Sequence, residues 1–158
     1  GIIKNDLKDY NVRITPLLSD VEKIIKSGAD IIAYDGTNRK RPFSSKEIVS
    51  KIKKSNRLAM ADCSNLRDAR NAILEGADII GTTLSGYIGK NVKDTDKPDL
   101  NLVKQFKKLN SFVMAEGRYN SPDLAKKAIL AGADAVTVGS AITRIDNITN
   151  WFVKEIKK

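Results

Sequence analysis

Polar side chains that could do acid–base chemistry stand at the ends of short apolar runs of strand length. They are Lys4 and Asn5, Asp35 and Thr37, Asp62 and Cys63, Thr82, Thr83 and Ser85, Glu116 and Arg118, and Ser140 with Arg144. When strands run parallel, their carboxyl ends share one edge, and that edge carries the catalytic groups of parallel barrels. A lysine and three carboxylates would then face one mouth, where an acid and a base can remove a proton and return it. The placement predicts a site there.

The composition narrows the choice of acid and base. The chain has no histidine, so catalysis must use Lys, Asp, Glu, Tyr, Ser or Cys. Lys4 and Glu116 are the candidate catalytic residues, because a lysine sheltered in such a mouth can act as a base near neutrality. Cys63, the single cysteine, lacks an activating partner, and we interpret it as a small buried residue. A lone cysteine excludes an intramolecular disulfide and favours a reducing, cytoplasmic location.

Two glycine-containing loops near the end of the chain have the features of a phosphate site. Gly117 and Arg118 follow one predicted strand, and Gly139 and Ser140 follow the next, with Arg144 downstream. Glycine lets backbone amides approach an anion closely. Barrels frequently bind phosphate with the loops after their seventh and eighth strands. We therefore expect these five residues to contact a phosphorylated substrate.

A block that recurs three times predicts the fold. Each copy is a helical run that ends in Gly-Ala-Asp and leads into an apolar strand; the copies start at Ser19, Asn65 and Ser121. Further apolar runs at 1–4, 57–62 and 112–117 complete six βα units, with helices at 19–27, 44–54, 66–75, 99–109, 121–131 and 147–157. Helix starts are predicted at Ser19 with Glu22, Ser44 with Glu47, and Ser121 with Pro122. Trp151 and Phe152 are expected to pack between the last helix and the strands.

Continuous apolar strands between amphipathic helices indicate a parallel α/β sheet buried on both faces. A closed (βα)8 barrel needs eight strands and usually about 250 residues. This chain has 158 residues and six predicted units. We therefore interpret residues 1–158 as a single, incomplete TIM-barrel catalytic domain that holds strands 3 to 8 and lacks the first two units. A doubly wound open sheet is the alternative that the length permits.

The net charge of +9 raises the question of a nucleic-acid partner. The lysines concentrate on predicted helices among acidic residues, without the aromatic side chains that a single-strand groove would use. We expect a solvated outer ring of helices, no nucleic-acid partner, and a positive field that attracts a phosphorylated small molecule. No apolar run approaches the roughly 20 residues that span a bilayer, so we expect no membrane partner.

Several motifs, in order along nearly the whole chain, closely resemble one enzyme family. They are GIIK at 1–4, MADCS at 60–64, GTTLSGY at 81–87, AEGRYNSP at 115–122 and TVGSAITR at 137–144. The family is that of the N-acetylmannosamine-6-phosphate 2-epimerases. The resemblance implies a (βα)8 barrel of the ribulose-phosphate-binding type that starts here near its third strand. An arginine that the family supplies from an earlier strand has no counterpart in this chain.

The resemblance also implies an activity. The family interconverts N-acetylmannosamine 6-phosphate and N-acetylglucosamine 6-phosphate in sialic acid and amino-sugar breakdown, without a metal or redox cofactor. By resemblance, Lys4 handles the C2 proton and Glu116 serves ring opening and proton shuttling. Asp62 would bind the sugar hydroxyls or the acetamido group, and Arg144 the phosphate or an adjacent polar group. A homodimer is a further expectation.

Two other classes of protein stay open at this point. One is a different phosphate-binding barrel enzyme, a lyase or synthase in which Lys4 would form a Schiff base. The other is a basic, non-catalytic binding module, whose affinity for nucleic acid would fall steeply with salt.

Overall fold

Five parallel strands in chain order form the centre of the protein. The computed structural model describes residues 1–88 and 97–157. The strands are β1 (Ile31–Asp35), β2 (Leu58–Asp62), β3 (Ile79–Gly81), β4 (Phe112–Glu116) and β5 (Ala135–Thr137), and each pairs with the next in parallel. A doubly wound sheet reverses its strand order at a switch point. The sequential order therefore excludes that alternative and is the order of a barrel wall.

The helices follow the strands as the periodicity predicts. They are α1 (Leu18–Lys26), α2 (Ser45–Lys54), α3 (Leu66–Leu74), α4 (Leu100–Lys107), α5 (Pro122–Leu130), the short α6 (Ser140–Thr143), which the sequence did not predict, and α7 (Ile145–Ile156). The predicted starts at Ser44 and Ser121 are confirmed, because each hydroxyl accepts a backbone N–H three residues on. The predicted start at Ser19 is wrong. The Asp20 carboxylate accepts the backbone N–H of Leu17 at 3.3 Å, and α1 begins one residue earlier.

The core lies between the helices and the sheet. Large side chains with almost no exposure come from strands and helices alike: Ile32, Tyr34, Ile80 and Val113 from the strands, and Ile48, Ile52, Val103 and Phe106 from α2 and α4. A smaller cluster on the opposite face of the sheet contains Ala33, Met60 and Ile79, with Ile31 and Met114 beside it. Both faces of the sheet thus carry apolar side chains, as parallel strands require.

The aspartates of the second and third Gly-Ala-Asp copies anchor strand starts. Asp78 accepts the backbone N–H of Ala59 at 2.8 Å, and Asp134 accepts that of Val113 at the same distance. Their second carboxylate oxygens pair with Lys53 and Lys107, both in the last turn of a helix. The repeat therefore ties each strand to the neighbouring helix end.

The strand predicted at 1–4 is not a regular strand, so the count of six strands is corrected to five. The carbonyl of Gly1 accepts the backbone N–H of Ala33 at 3.0 Å beside β1, but Lys4 forms an isolated antiparallel bridge with Ile14. Ile14 in turn accepts the backbone N–H of Asp35 at 3.1 Å. The loop that carries Ile14 therefore lies between Lys4 and the end of β1, and it prevents regular pairing there.

The expected packing of the last helix against the sheet is wrong for Phe152. The Phe152 side chain is 67% exposed, and no residue of α7 is buried. Ile145 and Ile156 of the same helix are also exposed. Among the described elements, helix α7 makes its main contacts with the short helix α6. In residues 1–88 and 97–157, no helix combines the length and apolarity that crossing a bilayer requires.

Candidate active site

A cavity of about 590 Å³ opens at the carboxyl ends of the strands. Six of the residues predicted to form the site line it: Lys4, Glu116, Gly117, Arg118, Gly139 and Ser140. They come from three places along the chain, namely the N-terminal segment, the loop after β4 and the loop after β5. The parallel sheet brings the loops after β4 and β5 to one edge, and the N-terminal segment reaches the same edge beside β1. The structure thus collects the predicted acid–base pair and the predicted phosphate loops at a single mouth.

Glu116, the last residue of β4, is held in place by the neighbouring strand end. Thr82 donates its hydroxyl proton to the Glu116 carbonyl at 2.9 Å and accepts the Glu116 backbone N–H at 3.1 Å. Burial raises the pKa of the Glu116 carboxyl, while a hydrogen bond with Thr83 and the charge of Lys4 oppose the rise. Glu116 can therefore hold a proton at a higher pH than an ordinary glutamate.

Asp62, the last residue of β2, is 2% exposed and is not among the residues that line the cavity. The Thr83 hydroxyl donates to Asp62 Oδ1 at 2.6 Å, and Thr83 itself lines the cavity. Burial raises the pKa of Asp62 to about 8; the charge of Glu116 adds to the rise, and the Thr83 hydrogen bond opposes it. Asp62 therefore lies behind Thr83. Its predicted contact with the sugar stays a prediction.

Lys4 reaches the cavity from an exposed position on the N-terminal segment. Its backbone is fixed by the bridge to Ile14, and the next residue is anchored because Asn5 donates to Asp20 Oδ2 at 2.6 Å. The positive charge of Lys4 lowers the pKa of both Asp62 and Glu116. Lys4 therefore acts electrostatically on both carboxyls at the mouth.

Arg118 connects the loop after β4 to the loop after β3. Its Nη2 donates to the Ser85 carbonyl at 2.8 Å, and its guanidinium lies 4.9 Å from the centre of the Tyr87 ring, within cation–π range. The backbone of Arg118 is left-handed, with φ of 65°, directly after Gly117 with φ of 103°. This turn directs the guanidinium across the rim, so the arginine predicted to bind phosphate also holds a loop.

Arg144 is, with Asp62, a predicted site residue that does not line the cavity. Its side chain is 57% exposed and forms two hydrogen bonds with the carboxylate of Asp146, at 3.0 and 2.6 Å. This pairing raises the pKa of Arg144. A contact between Arg144 and a ligand in the cavity stays a prediction, and it would require the side chain to leave Asp146.

Two cationic residues that the sequence reasoning missed also line the cavity, Arg13 and Arg39. Arg39 Nη2 lies 2.5 Å from Oδ2 of the buried Asp35, and the other carboxylate oxygen accepts the N–H and the hydroxyl of Thr37. The sequence places Asp35 at a strand end. The signal in the sequence was the position of Arg39 four residues after Asp35, because a buried carboxylate requires a partner such as an arginine.

Cys63 is fully buried, and burial raises the pKa of its thiol well above the ordinary value. The interpretation of Cys63 as a small buried residue is confirmed. Within the two described ranges, no group of three or more Cys, Asp or Glu side chains is arranged to hold a metal ion. The expectation that catalysis needs no metal or cofactor stays a prediction.

Curated relatives match this chain along nearly all its length. The "Bifunctional enzyme NanE/NanK" of Brucella melitensis is 57% identical over 152 residues, which are 96% of this chain and 29% of the relative. The "Putative N-acetylmannosamine-6-phosphate 2-epimerase" of Haemophilus influenzae is 54% identical over 157 residues, which are 99% of this chain and 68% of the relative. The chain thus spans less than a third of one relative and about two thirds of the other.

A solved structure has the same fold. The N-acetylmannosamine-6-phosphate 2-epimerase from Clostridium perfringens superposes with a TM-score of 0.93 at 39% identity, over 98% of this chain and 68% of the other. The chain is therefore a partial (βα)8 barrel, as the strand order indicated. The family model described as "Putative N-acetylmannosamine-6-phosphate epimerase" matches residues 1–158. By this full-length match and by these relatives, the chain belongs to the NanE family of N-acetylmannosamine-6-phosphate epimerases.

Proposed function

We propose that the protein interconverts N-acetylmannosamine 6-phosphate and N-acetylglucosamine 6-phosphate by removing and returning the proton at C2. The observation that carries this proposal is the meeting of Lys4 and Glu116 at one cavity, in a chain of the NanE family. Such a reaction belongs to sialic acid and amino-sugar breakdown. A cytoplasmic location fits a protein with one free, buried cysteine.

The acid–base roles divide between the two residues. Inversion at C2 requires a group that takes the proton from one side of the carbon and a group that delivers one to the other side. Lys4 is assigned to the C2 proton. Glu116, whose pKa is raised by burial, is assigned to ring opening and to proton shuttling, because it can be protonated at a pH where an ordinary carboxyl is not.

The phosphate is assigned to the backbone of 117–119 and 139–141, with Arg118 beside it and Arg144 close to the ligand. Gly117, Arg118, Gly139 and Ser140 line the same cavity as the acid–base pair, which supports this assignment. Contacts between the protein and the phosphate dianion hold the sugar so that its reacting carbon lies near the catalytic groups, and this positioning raises the rate of turnover. The sugar without its phosphate should therefore be a poor substrate. A similar kcat/KM on both sugars would contradict the assignment.

The activity is tested on a completed chain. We define this as the 158 residues joined to the segment of the Haemophilus influenzae relative that they do not match. In deuterated water, proton NMR should show loss of the C2 proton signal from either sugar phosphate together with formation of its epimer. A protein that folds but leaves the C2 proton unexchanged would contradict the proposal. Covalent trapping of substrate by borohydride would instead favour a Schiff-base enzyme.

A further inference from the structure

A buried carboxylate holds the guanidinium of Arg39 at the cavity. Asp35, the last residue of β1, and Arg39 both line the cavity. Asp35 is 1% exposed, whereas the Arg39 side chain is 26% exposed. Arg39 Nη2 donates to Asp35 Oδ2 at 2.5 Å, and its Nε donates to Thr37 Oγ1 at 2.9 Å. The guanidinium is therefore partly buried, fixed at two points and in contact with the cavity.

The carboxylate that holds Arg39 is itself fixed. Asp35 Oδ1 accepts the backbone N–H of Thr37 at 3.0 Å and the Thr37 hydroxyl at 2.5 Å, and Arg41 donates to the Asp35 carbonyl. A guanidinium has five N–H groups, and the bonds from Arg39 use its Nε and one hydrogen of Nη2. Within residues 1–88 and 97–157, Nη1 of Arg39 forms no hydrogen bond. Arg39 thus keeps donors for a ligand.

Three other cations line the cavity, and none of them is held in this way. Lys4 is assigned to the C2 proton. Arg118 is engaged by the loop after β3 and belongs to one of the predicted phosphate loops. The Arg13 side chain is 64% exposed and pairs with Asp6, which is exposed as well. Among these cations Arg39 is the one that a buried carboxylate fixes in advance, and a preorganised charge stabilises a transition state without further rearrangement.

Arg39 lies on the same side of the mouth as Lys4. Lys4 forms its bridge with Ile14, and the Ile14 carbonyl accepts the backbone N–H of Asp35 at 3.1 Å. The phosphate is assigned to the loops after β4 and β5, at the other end of the strand order. In a hexose 6-phosphate, C1 and C2 lie at the opposite end of the carbon chain from the phosphate. A substrate anchored at those loops can therefore extend C1 and C2 toward Lys4 and Arg39.

Removal of the C2 proton creates a negative charge that needs a partner. In the ring-opened sugar C1 is an aldehyde. The uncharged amine of Lys4 takes the proton as the C2–H bond breaks, and the electron pair of that bond forms a double bond between C1 and C2. The π electrons of the C1 carbonyl move to O1, which becomes an oxyanion. Return of a proton to the other face of C2 reverses these shifts and restores the aldehyde.

We infer that Arg39 is a catalytic residue whose guanidinium stabilises the oxyanion that forms on O1. Asp35 and Thr37 are positioning residues, because they hold the guanidinium in place. Lys4 removes the proton, and Arg39 binds the charge that the proton leaves behind. This role rests on the proposed epimerase function and deepens it by naming the group that makes the C2 proton removable.

The test uses the completed chain. Arg39→Gln removes the cation, and the double variant Arg39→Gln with Asp35→Asn removes both charges, so that no unpaired carboxylate stays buried. The matched control is Arg57→Gln, because Arg57 pairs with Asp30 at 3.0 Å at the amino ends of β1 and β2. Circular dichroism reports folding. Steady-state kcat and KM for N-acetylmannosamine 6-phosphate are measured together with exchange of its C2 proton in deuterated water.

Both Arg39 variants should lower kcat by about a hundredfold or more with little change in KM, and C2 exchange should fall in parallel. Arg57→Gln should keep the parental kcat. A near-parental kcat in whichever Arg39 variant folds would overturn the role of Arg39, and so would a raised KM with an unchanged kcat. A folded parent that leaves the C2 proton unexchanged would instead overturn the proposed function, and the role of Arg39 with it.

Two further arms separate a catalytic role from a structural one. Thr37→Val should lower kcat more than KM changes, and Thr37→Ser, which keeps the hydroxyl that accepts from Arg39, should recover most of the loss. In Arg39→Ala, guanidinium chloride far below denaturing concentrations should restore part of the turnover, with sodium chloride at equal concentration as the control for ionic strength. Equal turnover in the two salts would show that Arg39 acts only through the structure of its loop, and would overturn the catalytic role.

Discussion

Burial raises the pKa of two carboxyls at the cavity, Asp62 and Glu116, but their access to a substrate differs. Glu116 lines the cavity, whereas Asp62 lies behind Thr83. Lys4 lowers the pKa of both from the exposed side of the mouth. At the scale of single residues, Glu116 is therefore open to the cavity, whereas Asp62 is shielded from it.

Lys4→Ala or Glu116→Ala in the completed chain should lower turnover by at least about a hundredfold, the low end of what a positioned acid or base contributes. The reason is that each variant removes one of the two groups assigned to proton transfer at the mouth. Steady-state rates of epimer formation measure the effect. Thr149→Val serves as the control on a distant exposed side chain. Near-parental rates in both variants would show that other residues carry the chemistry.

The stability of the protein should depend on pH through Asp62. Folding raises the pKa of this carboxyl from 3.8 to about 8, so between these values the folded state binds a proton that the unfolded state has released. The free energy of unfolding therefore falls as the pH rises through this window, and the loss is complete above about pH 8. Asp62→Asn should flatten this fall, and the raised pKa of Glu116 should leave a smaller slope of the same sign.

Urea unfolding of the completed chain at several pH values between about 5 and 8 measures this dependence. The parent and Asp62→Asn are compared at each pH, so that the effects of other groups cancel. An equally steep fall in both proteins would mean that Asp62 is ionised in the folded state.

At the scale of elements, the same Gly-Ala-Asp block follows three helices, but its three aspartates bind different partners. Asp78 and Asp134 each accept a strand N–H and pair with a lysine. The side chain of Asp30 is 88% exposed and pairs with Arg57. Identical aspartates at equivalent positions of the repeat therefore contribute differently to the free energy of unfolding. The reason is that the neighbouring strand determines which backbone groups each carboxylate can reach.

Asp134→Ala should lower the free energy of unfolding by about 1–3 kcal/mol, because the N–H of the fully buried Val113 loses its acceptor. Asp30→Ala is the matched control at the equivalent position, and its exposed ion pair should contribute less than about 1 kcal/mol. Chemical denaturation of the completed chain measures both. Equal losses in the two variants would show that the strand N–H is not what Asp134 stabilises.

At the scale of the whole molecule, the described residues leave one edge of the sheet unpaired at β5 and the other only partly covered at β1, with apolar surface near β5. β5 pairs with β4 alone among the described strands. Ile129 and Leu130 of α5 and Ile145 and Phe152 of α7 are at least half exposed. The segment beside β1 forms only a few hydrogen bonds with that strand. Unpaired parallel edges pair readily with other chains, and apolar patches add to that tendency.

The 158 residues, produced by themselves, should therefore be unstable, self-associating and inactive. Analytical ultracentrifugation and circular dichroism melts test this, with the completed chain as the control. The completed chain should melt cooperatively at a higher temperature, because more apolar surface is buried. A monomeric, cooperative and active 158-residue protein would show that five strands suffice. The expectation of a homodimer stays a prediction that the same sedimentation measurement addresses.

The sequence by itself determined the order of the five strands and of the helices other than α6, and it placed Glu116 at the edge where the cavity opens. It placed Lys4 at the same edge, although by way of a strand that does not form. Those features follow from apolar periodicity, helix caps and the rule that parallel strands end on one side, all of which act over short stretches of chain. Even so, the predicted helix start at Ser19 is wrong, because the carboxylate of Asp20 accepts the backbone N–H of Leu17 and the helix begins at Leu18.

Only the tertiary structure decided which partner each polar side chain finds. Asp62 lies behind Thr83, which comes 21 residues later in the loop after the neighbouring strand β3. Arg144 pairs with Asp146 outside the cavity. The loop around Ile14 keeps the first predicted strand from regular pairing, and Phe152 is exposed on a helix that has no buried residue. Burial and ion pairing depend on segments distant in sequence, so local patterns place a side chain at an edge without determining what it contacts there.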